Sequence, residues 1–89
     1  MNSQDVRVKR AYYRACHRGT KEMDWMLGRF AGAALETMNQ DDLTTFEELM
    51  ALPEPLIDAM LKGAAPADGT MANMIARIRR HHGMDTPTA

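Results

Sequence analysis

Several absences in this 89-residue chain narrow what it can be. A single cysteine, Cys16, excludes an internal disulfide framework and suits a reducing compartment. Aromatic residues make up only 6% of the chain, with one Trp, two Tyr and two Phe. Four Pro and six Gly are too few for a low-complexity linker protein. No apolar run approaches the roughly 20 residues that a membrane span needs. The opening Met1-Asn2-Ser3-Gln4-Asp5 lacks the apolar stretch of a signal peptide and leaves no room for a transit peptide before helical periodicity begins. A small cytoplasmic domain with no membrane association is the expectation. Hydrophobic residues at 45% and charged residues at 26% are an ordinary globular balance.

The net charge of −1 hides an uneven distribution. Arg7, Lys9, Arg10, Arg14, Arg18, Lys21 and Arg29 make the first third basic, and Arg77, Arg79 and Arg80 make the last stretch basic. Between them Glu36, Asp41, Asp42, Glu47, Glu48, Glu54, Asp58 and Asp68 face a single Lys62. Such an arrangement either steers a charged partner or lets the basic ends fold back onto the acidic middle.

All the periodic stretches are helical; none alternates apolar and polar residues long enough for a half-buried strand. Val8, Ala11, Tyr12 and Ala15 define the inner stripe of a helix over about 4–17. Gly19 ends it, and a left-handed residue is the expected reason for glycine there. Thr20 then caps a long central helix over about 20–38, with Met23, Met26, Leu27, Phe30, Ala31, Ala34, Leu35 and Met38 on one face. Gly32 and Ala33 leave room for a neighbouring helix. Asn39 caps a third helix carrying Leu43, Phe46, Leu49 and Met50, and Pro53 stops it. Pro55 opens a fourth, with Leu56, Ile57, Met60 and Leu61 inward and Gly63 as its stop. The last, over about 70–82, buries Met71, Met74, Ile75 and Ile78 and ends at Gly83. A frayed tail follows from about residue 84. The predicted fold class is all-α: a single domain built as a five-helix bundle.

Chemistry-bearing constellations are scarce. Cys16 and His17 are adjacent, so they point to different sides of a helix, and no CxxC or HxxxH occurs. His81 and His82 sit together at a helix end, where positive charge is favoured. No glycine-rich phosphate cradle follows a strand. The nine Met fall mostly on apolar helix faces, where they serve as core filling. A stripe of Arg7, Arg10 and Arg14 beside Tyr12 and Tyr13 is either a solvated face or a phosphate-contacting one, but no recognition-helix pattern accompanies it. Trp25 lies off the main stripe of the central helix, as either the edge of the core or an interface anchor. The segment Arg18-Gly19-Thr20-Lys21-Glu22 places a forked cation, a glycine and a carboxylate at a helix junction. Either Arg18 and Glu22 pair and brace that junction, or they reach out to a partner.

Arg18, Gly19 and Glu22 spell RGxxE, and around this motif the sequence resembles the SdhE family, known in mitochondria as succinate dehydrogenase assembly factor 2. Glu22-Met23-Asp24 with Met26, Leu27 and Phe30, then Phe46-Glu47-Glu48-Leu49-Met50, Leu52-Pro53, Leu61-Lys62-Gly63 and the Ile75, Ile78 segment follow the family's order and spacing over about residues 7–82. Thr20 and Lys21 depart from it, standing where apolar residues are common. The resemblance implies a non-enzymatic chaperone that promotes covalent FAD attachment to the flavoprotein subunit of succinate dehydrogenase and, in some bacteria, of fumarate reductase. It implies that FAD is the cofactor of the client and is not stably bound by this chain, which acts as a monomer with no nucleic-acid partner. The client-binding set it implies is Arg18, Gly19 and Glu22, extended by Arg10, Arg14 and Trp25. A generic helical adaptor or antitoxin-like module is the alternative.

Overall fold

Local signals at the helix ends decide where each element begins and stops. The computed structural model describes residues 3–84. It contains α1 (Ser3–Cys16), α2 (Lys21–Ala34), a 3₁₀ turn (Leu35–Thr37), α3 (Gln40–Met50), α4 (Glu54–Leu61) and α5 (Gly69–His81), with no strand among the described residues. Thr20 and Asn39 cap α2 and α3 as expected: Thr20 Oγ1 accepts from Met23 N–H at 3.2 Å and Asn39 Oδ1 from Asp42 N–H at 2.8 Å. Gly63 and Gly83 close α4 and α5 in the left-handed region, at φ 77° and 68°. In both, the glycine and the residue after it return their N–H groups to carbonyls of the helix's last turn, Gly63 to Met60 and Ala64 to Ala59, Gly83 to Arg80 and Met84 to Arg79. The expected tail from about residue 84 lies almost wholly outside the described residues.

Three expectations need correction. α2 stops at Ala34 rather than near 38, and the chain tightens into the 3₁₀ turn, with Thr37 Oγ1 bonded to the Ala34 carbonyl at 3.1 Å and Met38 N–H to Leu35 at 3.2 Å. The tighter turn still buries both Leu35 and Met38, so apolar spacing alone could not separate it from continued helix. Tyr12 and Leu56, expected to face inward, are exposed at stripe edges. Pro55 is the second residue of α4, and Pro53 is the residue preceding that helix.

The core is one cluster. Ala11 and Ala15 of α1 meet Met23, Leu27, Phe30 and Ala31 of α2, with Leu43, Phe46 and Leu49 of α3, Ile57 and Leu61 of α4, and Met74 and Ile78 of α5. Six methionines, Met23, Met26, Met38, Met50, Met60 and Met74, are buried in it, which supports core filling over a dedicated groove. α1 approaches α2 closely because Gly28 carries no side chain: a Cβ there would come within 2.9 Å of Cys16 Sγ. Cys16 is thus a helix-packing residue.

Part of the uneven charge is consumed by folding. Arg7 of α1 pairs with Glu47 of α3 at 2.7 Å, Arg18 with Glu54 at 3.2 Å, and Arg77 of α5 with Asp42 at 3.1 Å, each joining a basic end to the acidic middle. Hydrogen bonding from Arg7 holds the Glu47 carboxyl below the usual carboxylate range, and Arg10 and Arg14 add to the effect. A depressed folded-state value means this contribution is complete above the unfolded value, about 4.3, and is lost as pH falls through the folded one. Thermal melts across pH 5 to 3 should therefore show Glu47→Gln losing less stability on acidification than wild type. The difference will be small, because both side chains are about a third exposed, at 29% and 34%.

Candidate functional site

The RGxxE segment bridges α1 and α2, and its two charged residues do different jobs. Arg18 does not pair with Glu22. Its Nε donates to Glu54 Oε1 at 3.2 Å, its Nη1 to the Met50 carbonyl at 3.0 Å and its Nη2 to the Leu52 carbonyl at 3.5 Å. The guanidinium therefore straps the α1–α2 junction to the connection between α3 and α4, satisfying carbonyls that the C-terminal end of α3 leaves without helical partners. The side chains of Arg18 and Glu54 retain only 13% and 22% exposure. From the other side, the Arg18 backbone N–H donates to the Asp24 carboxylate.

Gly19 completes the strap. Its N–H donates to Glu54 Oε2 at 2.8 Å, and a Cβ at this position would collide with that same oxygen. The backbone at Gly19 is not left-handed; among the described residues only Gly63, Gly69 and Gly83 have positive φ. The glycine is required for close approach of a carboxylate, which replaces the conformational reason expected from sequence. Glu54 was not anticipated as part of the site. The sequence signal that could have found it is a lone acid following Pro53, in a stretch that must meet the basic junction.

Glu22, in contrast, is exposed in the first turn of α2 and makes no hydrogen bond or ion pair among the described residues. It lies on the lip of a groove of about 400 Å³ between α2 and α4, with Met23 and Pro55 supplying apolar lining and Glu54 and the Asp58–Lys62 pair on its far side. Arg10 and Arg14 are exposed on α1, close enough to act on Glu47. Trp25, one turn after Glu22, is 54% exposed. The structure therefore gathers Glu22, Gly19 and the Arg18–Glu54 strap at one junction, with Trp25 adjoining along α2 and the arginines on the neighbouring helix. No group of three or more His, Cys, Asp or Glu that could hold a metal ion occurs among the described residues. No helix among them is long and apolar enough to cross a membrane.

A family model described as a flavinator of succinate dehydrogenase, Sdh5, matches residues 9–82. The chain belongs to the Sdh5 family. The matched stretch runs from the middle of α1 to the end of α5, so the family pattern covers the strap, the groove and helices α2 to α5 in full. A curated relative, the FAD assembly factor SdhE of Acetobacter pasteurianus (strain NBRC 105184 / IFO 3283-01), is 35% identical over 72 residues, which is 81% of this chain and 66% of that protein. The chain thus spans just under two thirds of the length of the curated relative it matches. No solved structure matches it.

Proposed function

We propose that this chain is an assembly factor that promotes covalent attachment of FAD to the flavoprotein subunit of succinate dehydrogenase. The observation that carries this reading is the division of labour in RGxxE: Arg18 is spent on an internal strap that presents Glu22 unpaired on a rigid helix start. A preorganised carboxylate of that kind suits recognition of a partner, since its ordering cost is already met within the fold.

The chain itself works without a nucleophile. Bond formation belongs to a histidine of the client and the flavin, and the factor holds the client in a competent arrangement by binding it. In this role Glu22 contacts the client, Gly19 and the Arg18–Glu54 strap set the shape of the contact, and Arg10, Arg14 and Trp25 widen it. The protein acts as a cytoplasmic bacterial monomer and purifies colourless, because FAD is carried by the client.

Flavin fluorescence of the denatured flavoprotein in a gel tests the reading. A strain lacking the gene should show little covalent flavin, and the wild-type gene should restore it. Glu22→Ala should fail to restore it while its melting curve shifts only by the first-turn dipole contribution, about 0.3–1 kcal/mol. Normal flavin fluorescence in the deletion strain would rule out the assignment. A folded Glu22→Ala protein that restores full fluorescence would reduce the motif to a junction brace.

A further inference from the structure

We infer that the exposed side of α2 beyond Glu22 is a second docking element, in which Trp25 anchors and an adjoining slot receives an apolar side chain of the client flanked by a carboxylate. This inference rests on the assembly-factor reading and assigns the chemistry of the surface the partner would present.

Trp25 is the chain's sole Trp and is more than half exposed, yet its ring is braced. The Arg29 guanidinium lies 5.8 Å from the ring centroid, and the His82 ring packs beside it at 5.0 Å, tilted by 39°. His82 is itself fixed, its Nε2–H donating to the Met26 carbonyl at 2.8 Å at the closed end of α5. A large aromatic held in place before binding forfeits little rotamer entropy on contact, which is what favours Trp as an interface hot spot.

Beside it opens a slot of about 450 Å³ between α1 and α2, lined by Tyr12, Trp25, Gly28, Gly32, Ala33 and His81. Its floor is low because Gly32 and Ala33 carry little or no side chain, while Gly28 is covered by Cys16 Sγ. Tyr12 stands in its wall, where its interaction with Cys16 raises the phenol's pKa. The space suits one bulky apolar or aromatic side chain.

Charge selects what must accompany that side chain. Asp24, which also borders the slot, already accepts the Arg18 N–H. Arg29 is exposed and forms no ion pair, its cation meeting only the Trp25 ring, and Lys21, one turn before Trp25, is likewise exposed and unpaired. Around the anchor the uncommitted cations Lys21 and Arg29 outnumber the one uncommitted carboxylate, Glu22, so the side facing Arg29 is complemented by a carboxylate. Glu22, Trp25 and Arg29 lie on one side of the helix at spacings of three and four, so the surface is continuous from the RGxxE junction over about 10 Å of helix axis. The carboxylate of Glu22 on that same stripe opposes a phosphate backbone, which favours a protein partner over a nucleic acid.

The test is a binding titration of the purified chain against the flavin-free flavoprotein subunit, at low and moderate salt, with a melting curve for every variant. Trp25→Ala, Arg29→Glu and Ala33→Leu should each weaken binding by about tenfold or more, as expected of interface anchors and their rims. Arg29→Glu should also flatten the salt dependence. Ala33 is exposed, so filling the slot with leucine leaves the core intact and still probes the slot if the Trp25 variant melts early. Wild-type binding with all three variants unchanged would overturn this inference and leave the assembly-factor reading standing. A wild-type chain that does not bind the flavoprotein at all would overturn both.

Discussion

Gly19→Arg should abolish flavinylation of the client while the domain still folds. Any side chain at this position displaces the Glu54 carboxylate from the Gly19 N–H and disturbs the Arg18–Glu54 pair behind it. Because the obstacle is the end of a side chain, Glu54 can swing away, and the stability cost is limited to the bonds lost. Those amount to about 1–3 kcal/mol for charge-assisted hydrogen bonds. A melting temperature lower by roughly 4–8 °C per kcal/mol follows for a domain of this size. Gly19→Ala separates the two consequences. It carries the Cβ and therefore a similar stability cost, but it projects nothing into the partner's space. We expect Gly19→Ala to lose part of its client affinity, through the displaced Glu54, and Gly19→Arg to lose it entirely. Equal loss of binding in both would mean that the position of Glu54, rather than clearance at Gly19, is what the client senses.

Arg18→Ala should be the most destabilising of the single changes considered. It removes an ion pair and two hydrogen bonds to carbonyls at once, and leaves Glu54 without its cation in a site where both side chains are mostly covered. Breaking a fully buried pair from one side costs about 3–5 kcal/mol, and residual exposure here lowers that to about 2–3 kcal/mol. Against a total stability of about 5 kcal/mol for so small a domain, that is a large fraction. Arg18→Lys should recover only part of it, because an ammonium cannot span a carboxylate and two carbonyls as the planar fork does. Urea unfolding of Arg18→Ala, Glu54→Ala and the double variant would give the coupling directly. A coupling near zero would refute the strap.

The two variants also bear on how RGxxE is understood. If Arg18 contacts the client directly, Glu54→Ala should free it and leave binding intact. If Arg18 positions the junction, Glu54→Ala should weaken binding together with stability, and Glu22→Ala should weaken binding alone. The geometry favours the second outcome, since the guanidinium has its donors turned toward Glu54, Met50 and Leu52.

Much of this protein was determined by local sequence. The caps at Thr20 and Asn39 and the closing glycines at 63 and 83 act within four or five residues, so their roles follow from residue type and spacing. The apolar stripes of the central and third helices identified most of the core, because a 3.6-residue period marks the buried face whatever it packs against. The RGxxE motif, set in its surrounding pattern, indicated the family. Tertiary structure decided the rest. Tyr12 and Leu56 sit at stripe edges, where burial depends on how close the next helix lies, and the 3₁₀ ending of α2 keeps the same residues buried as a longer helix would. The partner of Arg18 is 36 residues away, and Gly19 owes its place to that same distant carboxylate. No periodicity reports on such a contact. It arises only when packing brings the start of α4 against the α1–α2 junction, and that long-range meeting is what turns two charged letters of one motif into a half-buried strap and an exposed carboxylate.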